Sequence, residues 1–259
     1  MKPVNYILLL ALAILSFCSL HAQDYKITVQ NTKDGKLTLN DFPNDLPIEG
    51  YSGAEIIITS DMQEKTPDRA KGLKPVYAGG TDNTGMAVSV EKNGNQVTLQ
   101  CLLPITKSGN YKIKVPDNFN IEVDNECGHS GDVTVQSIKG EVAVKNCGAI
   151  KVKDVTGPLV LSTISGNINI NFGTLTKDRT VSLASISGEI DVTMPAKQGM
   201  DVELETISGA IYSDFDFSTD DKKMKRIGGN SIKSQLNGGG ASLKITNISG
   251  NIYFRKGGA

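Results

Sequence analysis

Two carboxylates, Glu189 and Asp191, are the residues best placed to act together chemically. They lie two positions apart in an alternating segment, so in a β-strand both side chains face the same side, about 7 Å apart. Glycoside hydrolases cleave sugars with two carboxyl groups about 5–9.5 Å apart that flank a cleft. A convex strand face offers no such cleft, and exposed acids are ordinarily solvated. We therefore favour a solvated face and keep a polysaccharide-cleaving β-helix enzyme as an alternative.

The segment after residue 212 combines acids with aromatic residues. Between residues 214 and 221 the chain has four aspartates and two phenylalanines. A basic run at 222–226 supplies counter-ions for these acids. Such spacing could suit Ca²⁺, but the glycine-rich repeat of calcium-binding β-rolls is absent, so we predict no metal site. Residues 213–240 are an insertion in the repeat, and the aromatic side chains in it are expected to be exposed. This favours a binding surface there. The candidate binding residues are Tyr212, Asp214, Phe215, Asp216 and Phe217.

The motifs of nucleophilic and cofactor chemistry are missing from the sequence. His129 is the single histidine beyond the N-terminal leader, and no Gly-x-Ser-x-Gly elbow accompanies it. There is no P-loop, no dinucleotide-binding glycine pattern and no His-Glu-x-x-His. We therefore predict no catalytic residue and no cofactor.

Cys127 and Cys147 form a candidate disulfide. They are 20 residues apart and each precedes a glycine, while no Cys-x-x-Cys exists and His129 has no histidine partner for a metal. Rungs of a stacked β fold are ~4.8 Å apart, which is within the ~4.4–6.8 Å between Cα atoms that a disulfide needs. We nevertheless favour three separate buried thiols, at Cys101, Cys127 and Cys147, and keep the disulfide as the alternative.

Composition excludes several functions without naming one. The 259 residues are 39% hydrophobic and 21% charged, which is typical of a globular protein. The net charge of −1 leaves no broad basic field for nucleic acid. Aromatic residues are only 5% and tryptophan is absent, which argues against a carbohydrate or single-strand nucleic-acid site built on many stacking platforms.

In the second half of the chain, eight glycines each precede a short segment in which apolar and polar residues alternate. Two and four residues after each of these glycines the side chain is apolar, with Ser213 as the exception. A period of two indicates a half-buried β-strand and is not the period of a helix. The glycines are Gly131, Gly140, Gly148, Gly157, Gly166, Gly188, Gly209 and Gly250.

The turns recur as well and predict the fold class. Ile-Ser-Gly stands at 164–166, 186–188, 207–209 and 248–250, at spacings of 22, 21 and 41 residues. Short strands at fixed spacing predict an all-β, single-stranded β-solenoid with about 17–22 residues per rung, each turn laying parallel strands on the turn below. An antiparallel sandwich is the alternative, but hairpins alone do not explain the recurring corner.

The N-terminus reads as a secretory signal peptide over residues 1–22. Lys2 precedes an apolar run from Tyr6 to Phe17, and Ala22 provides a small residue before a cut at Gln23. Lipidation at Cys18 is the less favoured alternative, because bulky Phe17 precedes it. No later segment is apolar enough to cross a membrane. We predict one domain over 23–259, less regular in 23–125 and regular in 126–259, with an insertion at 213–240.

Several segments resemble a known family. The runs at 183–192 and 236–252 are similar to the bacterial putative-adhesin domain family, as are the segments at 70–73, 82–85 and 111–116. The resemblance covers nearly all of the chain after the leader. It implies a β-solenoid fold and an exported location, and the family offers no catalytic residues to assign.

These observations predict an exported, non-enzymatic, adhesin-like or cell-envelope interaction scaffold. The expected partner is a protein or a glycan at the envelope, and not nucleic acid. Besides the β-helix polysaccharide enzyme, a periplasmic partner of an envelope signalling system is an alternative. The expected location is the periplasm or the outer cell surface. Neither the ligand nor the oligomeric state follows from the sequence.

Overall fold

A computed structural model describes residues 22–62, 67–128, 130–217 and 229–257. The predicted signal peptide up to His21, the lipidation candidate Cys18, His129 and the acidic and basic run at 218–228 lie outside these residues. The described strands are β1 (Gln23–Thr28), β2 (Lys36–Asn40), β3 (Asn44–Tyr51), β4 (Glu55–Ser60), β5 (Val76–Tyr77), β6 (Gly80–Thr81), β7 (Val88–Asn93), β8 (Gln96–Cys101), β9 (Tyr111–Pro116), β10 (Asn120–Asp124), β11 (Ser130–Gln136), β12 (Val142–Asn146), β13 (Ile150–Lys153), β14 (Leu159–Thr163), β15 (Ile168–Asn171), β16 (Thr180–Ser187), β17 (Ile190–Pro195), β18 (Met200–Ser208), β19 (Ile211–Ser213), β20 (Asn230–Leu236), β21 (Ala241–Ser249) and β22 (Ile252–Gly257). A short 3-10 helix spans Asp68–Ala70.

The described residues form two ten-stranded sheets, and each repeating rung gives one strand to each sheet. Sheet A has the order β1-β4-β9-β3-β11-β13-β15-β17-β22-β19. Sheet B has the order β20-β18-β21-β16-β14-β12-β10-β2-β8-β7. The hairpin of β5 and β6 stands apart. Within the part of the chain that the structure describes, no helix is long and apolar enough to span a membrane.

Neighbouring rungs run in parallel and in register, which confirms the β-solenoid. In sheet A, Ile150 is paired with Ile168, Ile168 with Ile190, and Ile190 with Ile252. All four side chains are fully buried between the sheets. Each buried isoleucine of this kind stabilises the fold by about 1.5–3 kcal/mol. The antiparallel sandwich is therefore excluded as the architecture of the repeats.

The rungs do not follow chain order at either end of the stack. The rung β21–β22 lies between β16–β17 and β18–β19, and the rung β2–β3 lies between β8–β9 and β10–β11. The expectation that every turn lies on the preceding turn is therefore wrong at both ends. The four Ile-Ser-Gly corners still stack on one another, but their isoleucines follow the spatial order Ile164, Ile186, Ile248, Ile207.

A reversal at the C-terminal end explains this exchange of order. Strand β20 pairs antiparallel with the outer side of β18, and β21 pairs parallel with its inner side. Gly238, Gly239 and Gly240 connect β20 to β21 with φ angles of +82°, +77° and +144°, a conformation that glycine adopts without strain. The insertion at 213–240 thus contains a strand, β20, that covers the edge of sheet B.

Backbone lies directly on backbone at the corner between β14 and β15 and at the corners above and below it. A Cβ atom added to Gly166 would overlap main-chain atoms of Gly148 and Ala149. A Cβ on Gly188 would overlap Gly166, and one on Gly250 would overlap Gly188. Glycine is needed here because no space remains between consecutive rungs.

A row of buried polar side chains runs beside these corners. Its members occupy equivalent positions at the ends of the sheet B strands, and they are Asn125, Asn146, Thr163, Ser185, Asn247 and Thr206. Several donate to main-chain carbonyls of a neighbouring corner: Asn146 Nδ2 to Gly131 O at 2.9 Å, and Asn247 Nδ2 to Gly188 O at 2.9 Å. Because buried carbonyls must be hydrogen-bonded, this row satisfies groups that the corners expose.

Cys127 and Cys147 are joined by a disulfide in the structure, with Cα atoms 5.4 Å apart. Cys147 directly follows Asn146 of the buried polar row. Cys101 is free and buried, and its burial raises the pKa of its thiol.

We expect Gly166→Ala to lower the free energy of unfolding by about 1–3 kcal/mol, because the added methyl group pushes two rungs apart. Gly173→Ala is the matched control, since no atom lies within 4 Å of a Cβ there, and its effect should stay within about 0.5 kcal/mol. Urea denaturation of the chain from Gln23 measures both. Equal stability of the two variants would contradict the close stacking of the corners.

We expect reduction of the disulfide to cost about 2–4 kcal/mol of unfolding free energy, because the bridge closes a loop of 20 residues. In denaturant, the chain from Gln23 should titrate one thiol before reduction and the thiols of Cys101, Cys127 and Cys147 after it. The double variant Cys127→Ser/Cys147→Ser should not respond to reductant. Three reactive thiols without reductant would show that the bridge does not form.

Candidate functional site

The outer face of sheet A carries the candidate site at its last rungs, on β17, β22 and β19. Alternation turns Ile190, Val192, Ile252 and Phe254 inward, where all are fully buried, so the residues between them face solvent. In register, Asp191 lies beside Tyr253 and Tyr253 lies beside Tyr212. In the next row, Thr193 lies beside Arg255.

Arg255 and Asp191 form an oriented ion pair on this face. Arg255 Nε donates to both carboxylate oxygens of Asp191, at 2.9 and 3.0 Å. The guanidinium carbon lies 5.2 Å from the centre of the Tyr253 ring, within the range of a cation–π interaction. The hydrogen bond with Asp191 and its charge raise the pKa of Arg255. The pair is solvent-exposed, so its main effect is to fix the direction of the guanidinium group.

Glu189 is held by two neighbours of the same cluster. Tyr253 Oη donates to Glu189 Oε1 at 3.1 Å, and Asn251 Nδ2 donates to the same oxygen at 3.4 Å. Asn251 Nδ2 also lies 3.1 Å from Tyr253 Oη. Both carboxylates that the sequence singles out therefore accept hydrogen bonds from side chains of the neighbouring rung. This arrangement orders the surface. Both carboxylates are already engaged by neighbouring side chains, so neither is free to act as a proton donor or a nucleophile.

Tyr212 extends the cluster to the last rung of sheet A. Its ring stacks on that of Tyr253 with centroids 5.4 Å apart and an interplanar angle of 12°. The side chain is 54% exposed. Two consecutive rungs thus present a stacked aromatic pair at the side of the polar cluster.

A shallow groove of about 450 Å³ continues from this cluster towards the middle of sheet A. It crosses β11, β13, β15, β17 and β22, so its long direction follows the stacking axis. Its side chains form two rows in register. The lining residues include Lys151, Asn169 and Asp191 in one row and Lys153, Asn171, Thr193 and Arg255 in the other.

The residues predicted to bind a partner fall into two groups. Tyr212, Asp214 and Asp216 are exposed, as expected. Phe215 is only 7% exposed and its ring centroid lies 4.9 Å from that of Phe254. Phe217 is partly buried, 6.2 Å from the same ring. The expectation that Phe215 forms an exposed surface is therefore wrong, because it covers the end of the hydrophobic core.

Tyr253 and Arg255 were not identified from the sequence, although a signal for them exists. Glu189 and Asp191 stand one and three residues after Gly188, and Tyr253 and Arg255 stand three and five residues after Gly250. Position three after the last corner finds Tyr253, and continuing the alternation by two more residues finds Arg255. Among the described residues, no three or more His, Cys, Asp or Glu side chains are grouped to hold a metal ion.

The segment at 82–85, part of the family resemblance, has a structural role. Asp82 is buried, and its Oδ1 accepts from the main-chain N–H groups of Thr84 and Gly85, both at 2.9 Å. Its Oδ2 accepts from Ala87 N at 3.1 Å. Asp82 therefore fixes the loop that leads into β7.

Comparison with known proteins identifies the family. The model of the family described as Toastrack DUF4097 matches residues 20–254. This chain belongs to that family. The match confirms the resemblance stated from the sequence, and it spans both the irregular and the regular parts of the stack.

One solved structure shows the same fold at low sequence identity, and a second is reported with it. A "putative cell adhesion protein" from Clostridium sporogenes is 14% identical, with a TM-score of 0.51 over 91% of this chain and 100% of that chain. A "putative adhesin" from Bacteroides fragilis is 13% identical, with a TM-score of 0.37 over 91% of this chain and 96% of that chain. Among curated proteins, none matches this Toastrack chain.

We expect Phe215→Ala and Tyr212→Ala to separate the roles of the two aromatic residues. Loss of buried Phe215 should lower the free energy of unfolding by about 3 kcal/mol, whereas loss of the exposed Tyr212 ring should cost about 0.5–1.5 kcal/mol. Urea denaturation measures both values. A larger loss for Tyr212→Ala than for Phe215→Ala would contradict the assignment of Phe215 to the core.

Proposed function

We propose that this Toastrack protein is an exported, non-enzymatic, adhesin-like scaffold of the cell envelope. It binds its partner with the outer face of sheet A at the last rungs. Support for an adhesion-type role comes from the name of the solved structure that shares its fold. Support for export comes from the signal-like N-terminus.

The ordered cluster of Arg255, Asp191, Tyr253 and Glu189 is the observation that carries this proposal. Each side chain in the cluster is oriented by another, and all project from strands of a rigid sheet. A surface that is already ordered loses little side-chain entropy when a partner binds. Exposed Tyr212 adds an aromatic contact of the kind enriched at binding interfaces.

The same geometry weighs against the polysaccharide-cleaving alternative. A glycosidase needs one carboxyl group that delivers a proton and a second that attacks or activates water. Here Asp191 pairs with the permanently charged Arg255 through both oxygens. Glu189 accepts from Tyr253 and Asn251. The cluster therefore suits recognition through fixed hydrogen bonds.

We expect purified protein from Gln23 onward to bind isolated cell envelopes of the bacterium that produces it. Arg255→Ala and Tyr212→Ala should each weaken this binding about tenfold, the loss of one well-placed contact. Lys145→Ala is the control, because Lys145 is an exposed, ion-paired side chain on the opposite sheet. Cosedimentation measures the affinities. Equal binding by all three variants would reject the proposed surface.

A further inference from the structure

We propose that the groove on sheet A binds an acidic polysaccharide whose chain lies along the stacking axis. This inference rests on the proposed function and specifies its partner. The groove is defined by the two rows of outward side chains on β11, β13, β15, β17 and β22. Neither Tyr212 nor Tyr253 lines it, whereas Arg255 and Asp191 belong both to the groove and to the ordered cluster.

The shape of the groove follows from side-chain length. Asn169 and Asn171 on β15 and Asp191 and Thr193 on β17 are short. They lie between the longer Lys151 and Lys153 on one side and Arg255 on the other. The rows advance ~4.8 Å with each strand. A linear polymer laid across the strands therefore meets one pair of side chains per rung, mostly amides, hydroxyls or cations.

A peptide is a poor occupant for this groove. Strands β13, β15 and β17 are each paired on both sides, so they offer no free edge to which a peptide strand could add. The described chain exposes large apolar side chains elsewhere, but none of them lines the groove. Protein partners usually require such anchors. Amide and hydroxyl side chains are instead suited to the hydroxyl groups of a sugar chain.

The charge of the groove selects an acidic sugar. Its lining carries Lys151, Lys153 and Arg255 against the single carboxylate of Asp191. Lys151 is paired with Asp132 at 3.0 Å, whereas Lys153 makes no ion pair with any residue that the structure describes. This local excess of positive charge contrasts with the net charge of −1 for the whole chain.

Arg255 keeps donors available for a ligand. Only its Nε contacts Asp191, so the N–H groups of the two terminal nitrogens are not used in that bond. Lys153 and Arg255 lie in one row, separated by Asn171 and Thr193. Three rung steps place them about 14 Å apart. Two carboxylates of one extended sugar chain can thus each meet a cation of the same row.

The test uses polygalacturonate as an acidic probe and its fully methyl-esterified form as a neutral probe with the same backbone. We expect the protein from Gln23 onward to bind polygalacturonate, as measured by affinity electrophoresis. Lys153→Ala should weaken binding about tenfold, and Asn171→Ala should weaken it about threefold. Raising the salt from about 0.05 to 0.5 M should also weaken it, because exposed charges are screened.

Three results would overturn the inference: no binding of polygalacturonate, equal binding of the methyl ester or of polyglutamate, or an equal loss from the control variant Lys145→Ala. Each leaves the proposed function separately testable. If envelope binding remains and still depends on Arg255 and Tyr212, the surface is correct and the partner is of another class. If envelope binding is also absent, the proposed function fails as well.

Discussion

Direct contact between the backbones of successive corners is the constraint on which this structure depends. Because Gly148, Gly166 and Gly188 leave no room for a side chain, adjacent rungs approach to the spacing of hydrogen-bonded strands. That spacing aligns Ile150, Ile168 and their equivalents into one hydrophobic column. It also buries corner carbonyls, which the row of polar side chains beside the glycines then satisfies. The apolar core and the buried polar row are two results of one geometry.

The candidate site depends on the same register. Arg255 and Asp191 are 64 residues apart in sequence, yet they touch because β22 inserts next to β17. Had the rungs followed chain order, the strand after β17 in sheet A would be β19 and Asp191 would face Tyr212. The exchange of rung order at the C-terminal end thus creates the ion pair and places Tyr253 beside Asp191.

The parts of the fold that depend on local pattern could be predicted from the sequence. Alternation after each glycine gave the strands, and the recurring Ile-Ser-Gly corner gave the parallel stack. The order of the rungs could not be predicted, because it depends on which side of β18 the chain returns to after Gly238–Gly240. The burial of Phe215 was missed for a similar reason. Its neighbours are aspartates, and only the position of Phe254 at the end of the core shows what Phe215 covers.

The interior position of β22 has a mechanical consequence. A pulling force applied at Gly257 would act on a strand that is hydrogen-bonded to β17 on one side and to β19 on the other. An edge strand can peel away one hydrogen bond at a time, whereas residues 252–254 of β22 are held by both ladders at once. A molecule that is tethered through this end while another surface holds it would therefore resist unravelling from its last strand.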